Sequence, residues 1–313
     1  MPSAHLSARG TLAAALGLCT LALSGCHYQP PPPEAPMPAA APTPAEAPPA
    51  PGEFRPGVPM AAAIARVLGG AVAAERKTNL GFDRGVTFMG ALLRPKAFIN
   101  WRMQMEAGTR YAFLGGGDDG ASDVDLAVID ANGQTLARDQ LADAKPVVDF
   151  TPRQTGVHVV RMTLAQASGP AFCALAVLRQ GGFTVPVKNL TASLQKIMAA
   201  GRLASQRAAV RFHEEPNQWA LFGAVLRPGD TTTISGLHLE GRQHVFVLAG
   251  DANAKVLDLS LLDARGSLVK KDDKPDQVAV VVARTVDGSY QVAITNVEST
   301  GPALVTAVIL DVL

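Results

Sequence analysis

The sequence has no excess of charge of one sign and very little cysteine. Lys and Arg number 28 against 27 Asp and Glu, which gives a formal net charge of +1. This balance argues against nucleic acid as a partner, because the phosphate backbone is bound through clustered positive charge. Of the three cysteines, Cys19 and Cys26 lie near the amino terminus, and Cys173 stands alone in the apolar segment 171–178. We expect no intramolecular disulfide and interpret Cys173 as a small buried packing residue.

Motifs of the common hydrolases and nucleotide-dependent enzymes are also missing. The chain has no Gly-x-Ser-x-Gly motif, and the glycine run 115–117 is followed by acids that would repel a phosphate. His213 precedes two glutamates but lacks the second histidine that a helical zinc motif requires. The sequence therefore predicts a protein that is not an enzyme and that has no organic cofactor.

The amino-terminal residues are typical of an export signal. An apolar run from Thr11 to Leu23 follows Arg9 and is too short to span a bilayer as a stable helix. Leu23-Ser24-Gly25-Cys26 ends this run and resembles the lipobox of bacterial lipoproteins. The resemblance implies that residues 1–25 are removed as a signal peptide and that Cys26 is lipidated and anchors the chain in the membrane. His27 stands where many lipoproteins retained in the inner membrane have Asp, so we expect the outer membrane, with the leaflet left open.

The segment from Pro30 to Pro59 is rich in proline and alanine and nearly free of large apolar residues. Such a composition cannot bury a core and favours polyproline II or disorder. We predict that residues 26–59 form a lipidated tether, which would hold the folded part away from the bilayer.

An internal repeat organises the rest of the chain. Gly90-Ala91-Leu92-Leu93-Arg94-Pro95 recurs as Gly223-Ala224-Val225-Leu226-Arg227-Pro228, and residues 125–133 recur as 258–266. Repeats of this kind indicate a duplicated structural unit.

Each copy has short apolar runs bounded by turn residues, such as 110–114, 124–129 and 157–162. Apolar residues at helical spacing precede the copies, at Met60–Lys77 and Leu190–Val210. The sequence predicts a mainly β fold of two tandem jelly-roll-like antiparallel β-sandwiches, each preceded by a short helical segment. We place the two domains at residues 60–183 and 184–313.

Five short stretches of the first copy occur in the order found in a known family: 106–111, 123–126, 130–133, 150–152 and 155–158. In this order they resemble the bacterial pre-peptidase C-terminal domain. The resemblance covers about residues 90–178 well and residues 223–310 less fully. It implies a small jelly-roll sandwich appended to exported proteins, some relatives of which bind calcium, collagen or polysaccharide.

The first copy also carries an acidic cluster. It consists of Asp118, Asp119, Asp123 and Asp125. Closely spaced carboxylates on a loop beside a strand can supply oxygen ligands to calcium, which makes this cluster the candidate metal site. The second copy keeps only Asp251 and Asp258 at these positions, and aspartates that cap turns explain the shared pair without a metal. Both interpretations stay open.

Other polar and aromatic residues align with different residue types in the second copy, which indicates structural positions. His158 aligns with Tyr290, His244 with Tyr111, Trp101 with Ile234 and Trp219 with Val86. We therefore expect no catalytic histidine and interpret both tryptophans as core residues.

These observations favour a non-enzymatic envelope lipoprotein that acts as a tethered scaffold or protein-interaction module at the outer membrane. Its partners would be the membrane, through Cys26, and another envelope protein. The alternative is a calcium-dependent or polysaccharide-binding module at the cell surface.

Overall fold

The computed structural model describes residues 54–313. The predicted signal peptide, the lipidation site Cys26 and the predicted tether as far as residue 53 lie outside the described residues. Within them the chain is mainly β, with antiparallel sheets and two helices, which confirms the predicted fold class.

The first repeat begins with the helix α1 (Gly57–Lys77). Nine strands follow: β1 (Leu80–Phe82), β2 (Gly85–Leu93), β3 (Phe98–Met105), β4 (Tyr111–Gly117), β5 (Ala121–Ile129), β6 (Thr135–Asp139), β7 (Val147–Phe150), β8 (Gly156–Ala167) and β9 (Ala171–Gln180).

The second repeat has the same element order after the helix α2 (Val187–Ser205). Its strands are β10 (Val210–Phe212), β11 (Leu221–Leu226), β12 (Thr231–Leu239), β13 (Gln243–Gly250), β14 (Ala254–Asp263), β15 (Leu268–Asp272), β16 (Val278–Arg284), β17 (Gly288–Ser299) and β18 (Ala303–Val312).

The two repeats share one inner sheet of ten strands. Its order is β16-β13-β18-β11-β2-β9-β4-β7, with β1 paired to β9 and β10 paired to β18. Each repeat adds an outer sheet of four strands, β3-β8-β5-β6 in the first and β12-β17-β14-β15 in the second. The antiparallel pairing of β2 with β11 joins the repeats at the centre of the inner sheet.

Burial explains the different apolar patterns of the strands. Side chains of the inner and outer sheets form one core, and the opposite face of the inner sheet packs against the helices in a second core. Strand β9 is covered on both faces, so its residues 171–178 are all apolar and buried. Strand β5 is covered on one face, so its buried residues alternate with partly exposed ones.

Helix α1 packs one face on β9 and β4. The buried side of this helix consists of Met60, Ala63, Ile64, Val67 and Ala71, at the spacing of a helical face. Among the described residues it is the helix long and apolar enough, by length and composition, to cross a membrane.

The repeated sequence motifs have clear structural causes. A Cβ on Gly90 would lie 2.6 Å from the ring of Phe172, and a Cβ on Gly223 would lie 3.0 Å from Phe88. The two glycines therefore let side chains of neighbouring strands pack directly on the backbone. Gly133 and Gly266 have φ of +85° and +83°. Each turn therefore needs a residue in the left-handed region, which glycine adopts without strain.

Three helix boundaries differ from the sequence-based expectation, and one of them is the start of α2, at Val187 instead of Leu190. Helix α1 begins at Gly57, and Phe54 before it is already buried, so the folded part starts within the predicted tether. Helix α2 ends at Ser205 rather than at Val210, because Val210 starts the strand β10 and pairs with Val312.

Candidate functional site

Three strands bring polar residues together at one end of the second sandwich. Asp311, near the end of β18, lies opposite Arg211 of β10 on one side and opposite His244 of β13 on the other. His213 directly follows β10, and its backbone N–H donates to the carbonyl oxygen of Ile309. The cluster is therefore positioned by the backbone pairing of the inner sheet.

Both histidines hydrogen-bond to the same carboxylate oxygen. Nδ1 of His213 lies 3.0 Å, and Nδ1 of His244 2.8 Å, from Oδ1 of Asp311. All three residues are buried, at 2%, 0% and 3% exposure. Their possible ligand atoms lie within 4.8 Å of one another, which is close enough to hold a metal ion. Within residues 54–313, this is the group of His, Cys, Asp or Glu side chains that meets this condition.

The remaining contacts of the cluster are charged or polar. Nε2 of His244 lies 3.2 Å from the carbonyl oxygen of Glu240. Oδ2 of Asp311 lies 3.7 Å from guanidinium nitrogens of Arg211 and of Arg242. Burial would raise the pKa of Asp311, but the hydrogen bonds and the charge of His213 and His244 outweigh burial and hold it well below its ordinary value. This lowered pKa favours the ionised form of Asp311.

The first repeat holds a different cluster at the same place. Arg179 occupies the position of Asp311, opposite Tyr111, which stands for His244. Asp83 stands for His213, since its N–H donates to the carbonyl of Val177, as that of His213 does to Ile309. Arg179 forms ion pairs with Asp83 at 3.4 Å and with Glu106 at 2.8 Å. The charge at the centre is thus positive in one repeat and negative in the other.

Sequence reasoning did not find this cluster. The sequence predicts a structural role for His244, because Tyr111 replaces it in the first repeat, and no zinc motif at His213, because the second histidine of a helical motif is missing. The available signal was the reversal of charge between Arg179 and Asp311, which the repeat alignment contains.

The structure places the four acids of the predicted calcium site in different environments. Oδ1 of Asp118 accepts the N–H of Gly120 at 2.8 Å, and Oδ2 accepts that of Phe172 at 2.7 Å. The second repeat reproduces the arrangement, with Asp251 accepting the N–H groups of Asn253 and Leu304. Asp118 and its counterpart Asp251 therefore cap backbone turns, whereas the second shared pair, Asp125 and Asp258, lies within the strands β5 and β14.

The other three acids do not all face the same point. Asp119 forms an ion pair with Arg66 of α1. Oδ1 of Asp123 is buried without a hydrogen-bond partner in the described part of the chain. Burial, with the charges of Asp123 and Asp139, raises the pKa of Asp125 above its ordinary value. Calcium binding here stays a prediction.

Trp219 and Cys173 belong to the core between the sheets, and Trp101 packs against it. Trp219 is 4% exposed, and its Nε1–H donates to the carbonyl oxygen of Asn100 in the other repeat at 3.1 Å. Trp101 is half-buried against the same core. Cys173 is fully buried, and burial raises the pKa of its thiol to about 12.

An apolar groove lies between the carboxyl-terminal part of α2 and the sheet edge formed by β13 and β16. It has a volume of about 490 Å³. Its lining residues are mostly small and apolar, with Arg207 as the charged one: Ala200, Leu203, Ala204, Arg207, Ala208, Val210, Gln243, Val245, Val247, Val280, Val282 and Val312. Leu203 and Val280 are 62% and 39% exposed.

A second, more polar cleft of about 650 Å³ lies at one end of the first sandwich. Phe150 and His158 meet edge to face there, with ring centroids 5.7 Å apart. Asn132, Arg153 and Gln154 also line this cleft.

The fold and the site define a double β-sandwich with a buried His–Asp–His cluster. No protein-family model and no curated protein matches the chain. Several solved structures align with it at low similarity. One is the M60 catalytic domain with two CBM51 domains from Clostridium perfringens ZmpB, at 10% identity and a TM-score of 0.24 over 75% of this chain. The chain spans 37% of that protein.

Two further structures align over most of both chains. The PBSX exported protein XepA has 11% identity and a TM-score of 0.23, over 72% of this chain and 86% of its own. An uncharacterized protein from Burkholderia cenocepacia has 11% identity and a TM-score of 0.21, over 80% and 88%. These TM-scores are too low to assign a family or a function to this chain.

Proposed function

We propose that this protein is a non-enzymatic, lipid-anchored interaction module of the outer membrane, which binds another envelope protein through the groove between α2 and β16. The exposed apolar lining of that groove carries the proposal, because contiguous apolar surface on a folded protein marks interaction sites. The lipobox ending at Cys26 and the proline-rich segment after it support the anchoring and the reach.

The groove defines the chemistry of its partner. Rows of Val, Ala and Leu side chains favour an apolar segment, and Arg207 at the exposed end of α2 favours a carboxylate on that segment. We expect an apolar stretch of an envelope protein that carries one acidic residue opposite Arg207.

The buried cluster supports a non-enzymatic role. His213, His244 and Asp311 have at most 3% exposure, so a substrate does not reach them in this arrangement. The side-chain hydrogen bonds of the three residues in the described part of the chain join them to one another and to the carbonyl oxygen of Glu240.

Affinity isolation from detergent-solubilised envelopes tests the proposal. The tagged wild-type chain should retain one partner, and Leu203→Glu or Arg207→Glu should lower its recovery by about tenfold or more. Leu268→Glu is the matched control, since Leu268 is 61% exposed on the outer sheet and away from the groove. Equal recovery with all variants would contradict groove binding.

A calcium-dependent or polysaccharide-binding module is the second candidate. The cleft beside Phe150 and His158 favours it, because an aromatic ring flanked by Asn132, Arg153 and Gln154 offers both stacking and hydrogen bonds to a sugar. A glycan-array signal that Phe150→Ala and Arg153→Ala abolish would support this role. Calorimetric titration of calcium, with Asp123→Asn as the variant, tests the metal dependence.

A further inference from the structure

We propose that His213, His244 and Asp311 form a binding site for a divalent transition-metal ion, with zinc as the ion of best fit. Imidazole nitrogen and carboxylate oxygen are standard zinc ligands, and three protein ligands suffice for a zinc site with a further open position. None of these three residues lines the proposed docking groove.

The three ligand atoms converge on one point. Nδ1 of each histidine lies within hydrogen-bond distance of Oδ1 of Asp311, at 3.0 and 2.8 Å, and all three atoms lie within 4.8 Å of one another. Zinc bonds of about 2.0–2.2 Å place tetrahedral ligand atoms roughly 3.4 Å apart. The two histidine–carboxylate distances would therefore have to lengthen by only about 0.5 Å to admit the ion in exchange for the protons on Nδ1.

Each of the three ligands has a defined environment on the side that faces away from the other two. Nε2 of His244 faces the carbonyl oxygen of Glu240 at 3.2 Å, which is how proteins orient a metal-binding imidazole. Oδ2 of Asp311 faces Arg211 and Arg242, so Oδ1 is the oxygen directed at the histidines. Nε2 of His213 is buried and has no hydrogen-bond partner in the described part of the chain, which leaves Nδ1 as the nitrogen that acts in the cluster.

The first repeat holds a cation of its own at the equivalent position. In the first repeat the guanidinium of Arg179 is itself the cation that bridges Asp83 and Glu106. The second repeat has the carboxylate of Asp311 at this centre, and its positive charges come from Arg211 and Arg242 on neighbouring segments. The two guanidinium groups near Asp311 also limit affinity, so we expect a site weaker than one with four thiolate or imidazole ligands.

Cobalt(II) and zinc titrations of the chelator-treated chain test the proposal. Because His5, Cys19, Cys26 and His27 are potential ligands outside the described residues, the chain carries His5→Gln, Cys19→Ser, Cys26→Ser and His27→Gln. We expect one equivalent of cobalt(II) to give the visible absorption of a low-coordinate site, and zinc well above its Kd to raise Tm by about 5 °C.

Variants locate the ion. His244→Tyr installs the residue of the first repeat, and Asp311→Asn removes the central charge; both should abolish the absorption and the shift in Tm. His158→Phe and His238→Gln change histidines outside the cluster and should leave both unchanged. The proposal is overturned if the folded parent chain shows no cobalt absorption and no shift in Tm at millimolar metal. It is also overturned if binding persists in His244→Tyr and Asp311→Asn.

Discussion

Asp311 in the second repeat and Arg179 in the first occupy equivalent positions near the ends of the equivalent strands β18 and β9. Each lies opposite a ring-bearing residue of the neighbouring strand, His244 and Tyr111 respectively. Arg179 is positive and forms ion pairs with two acids. Asp311 is an acid and hydrogen-bonds to two histidines. The two repeats therefore share the backbone pairing here but differ in their polar interactions.

The repeated glycine of the inner sheet is required by packing. Gly90→Ala would place a Cβ 2.6 Å from the ring of Phe172, so we expect a loss of about 1–3 kcal/mol in the free energy of unfolding. Gly169→Ala is the control, since no atom lies within 4 Å of its added Cβ, and it should change stability by less than about 0.5 kcal/mol. Urea unfolding followed by circular dichroism measures both, and an equal effect of the two changes would refute the packing argument.

Cys173 should be chemically inert in the folded protein. Its thiol is fully buried and has a pKa of about 12, so the reactive thiolate is scarce at neutral pH. In a chain with Cys19→Ser and Cys26→Ser, a disulfide reagent at pH 8 should modify no thiol until denaturant is added. Rapid modification of the native chain would show that this strand opens locally.

Asp83 makes stability depend on pH. Burial raises its pKa above the ordinary value, although Arg84 and Arg179 oppose the shift. The folded state then holds this proton at a pH where the unfolded state has lost it, so stability falls as pH rises from about 4 through the raised pKa. We expect wild type to lose stability relative to Asp83→Asn over that interval. A difference that stays constant, or that grows in favour of wild type as pH rises, would contradict the sign.

Cys26 should decide where the protein is found. Cys26→Ser should abolish incorporation of labelled palmitate and release the protein from the membrane fraction, because a chain without acyl groups loses about 0.8 kcal/mol of membrane affinity per buried methylene. Cys173→Ser is the matched control and should leave both properties unchanged. Palmitate labelling that survives Cys26→Ser would exclude this cysteine as the anchor.

The parts of the fold that depend on local sequence were predictable. Asp130, with Gly133, predicts a turn, and in the structure Oδ1 of Asp130 accepts the N–H groups of Asn132 and Gln134. The repeat itself indicated two sandwiches. The pairing of β2 with β11 was not predictable. The apolar pattern of a strand does not indicate whether its second edge pairs with a strand of the other repeat.

The candidate site lay beyond local patterns for the same reason. His213 and Asp311 are 98 residues apart, and the two strands that carry them become neighbours only in the folded sheet. No spacing rule for helical or turn motifs covers such a pair. The groove was equally hidden, since its lining combines α2 with strands at the edge of the inner sheet.

Site-specific photo-crosslinking in living cells tests the central claim, that a partner docks in the groove between α2 and β16. A photoreactive phenylalanine analogue would replace Leu203, which lines the groove and is 62% exposed, and in parallel Leu268, which is 61% exposed on the outer sheet. We expect one discrete adduct with an envelope protein at Leu203, which Arg207→Glu should abolish, and no adduct at Leu268. No adduct at Leu203, or equal adducts at both positions, would contradict it.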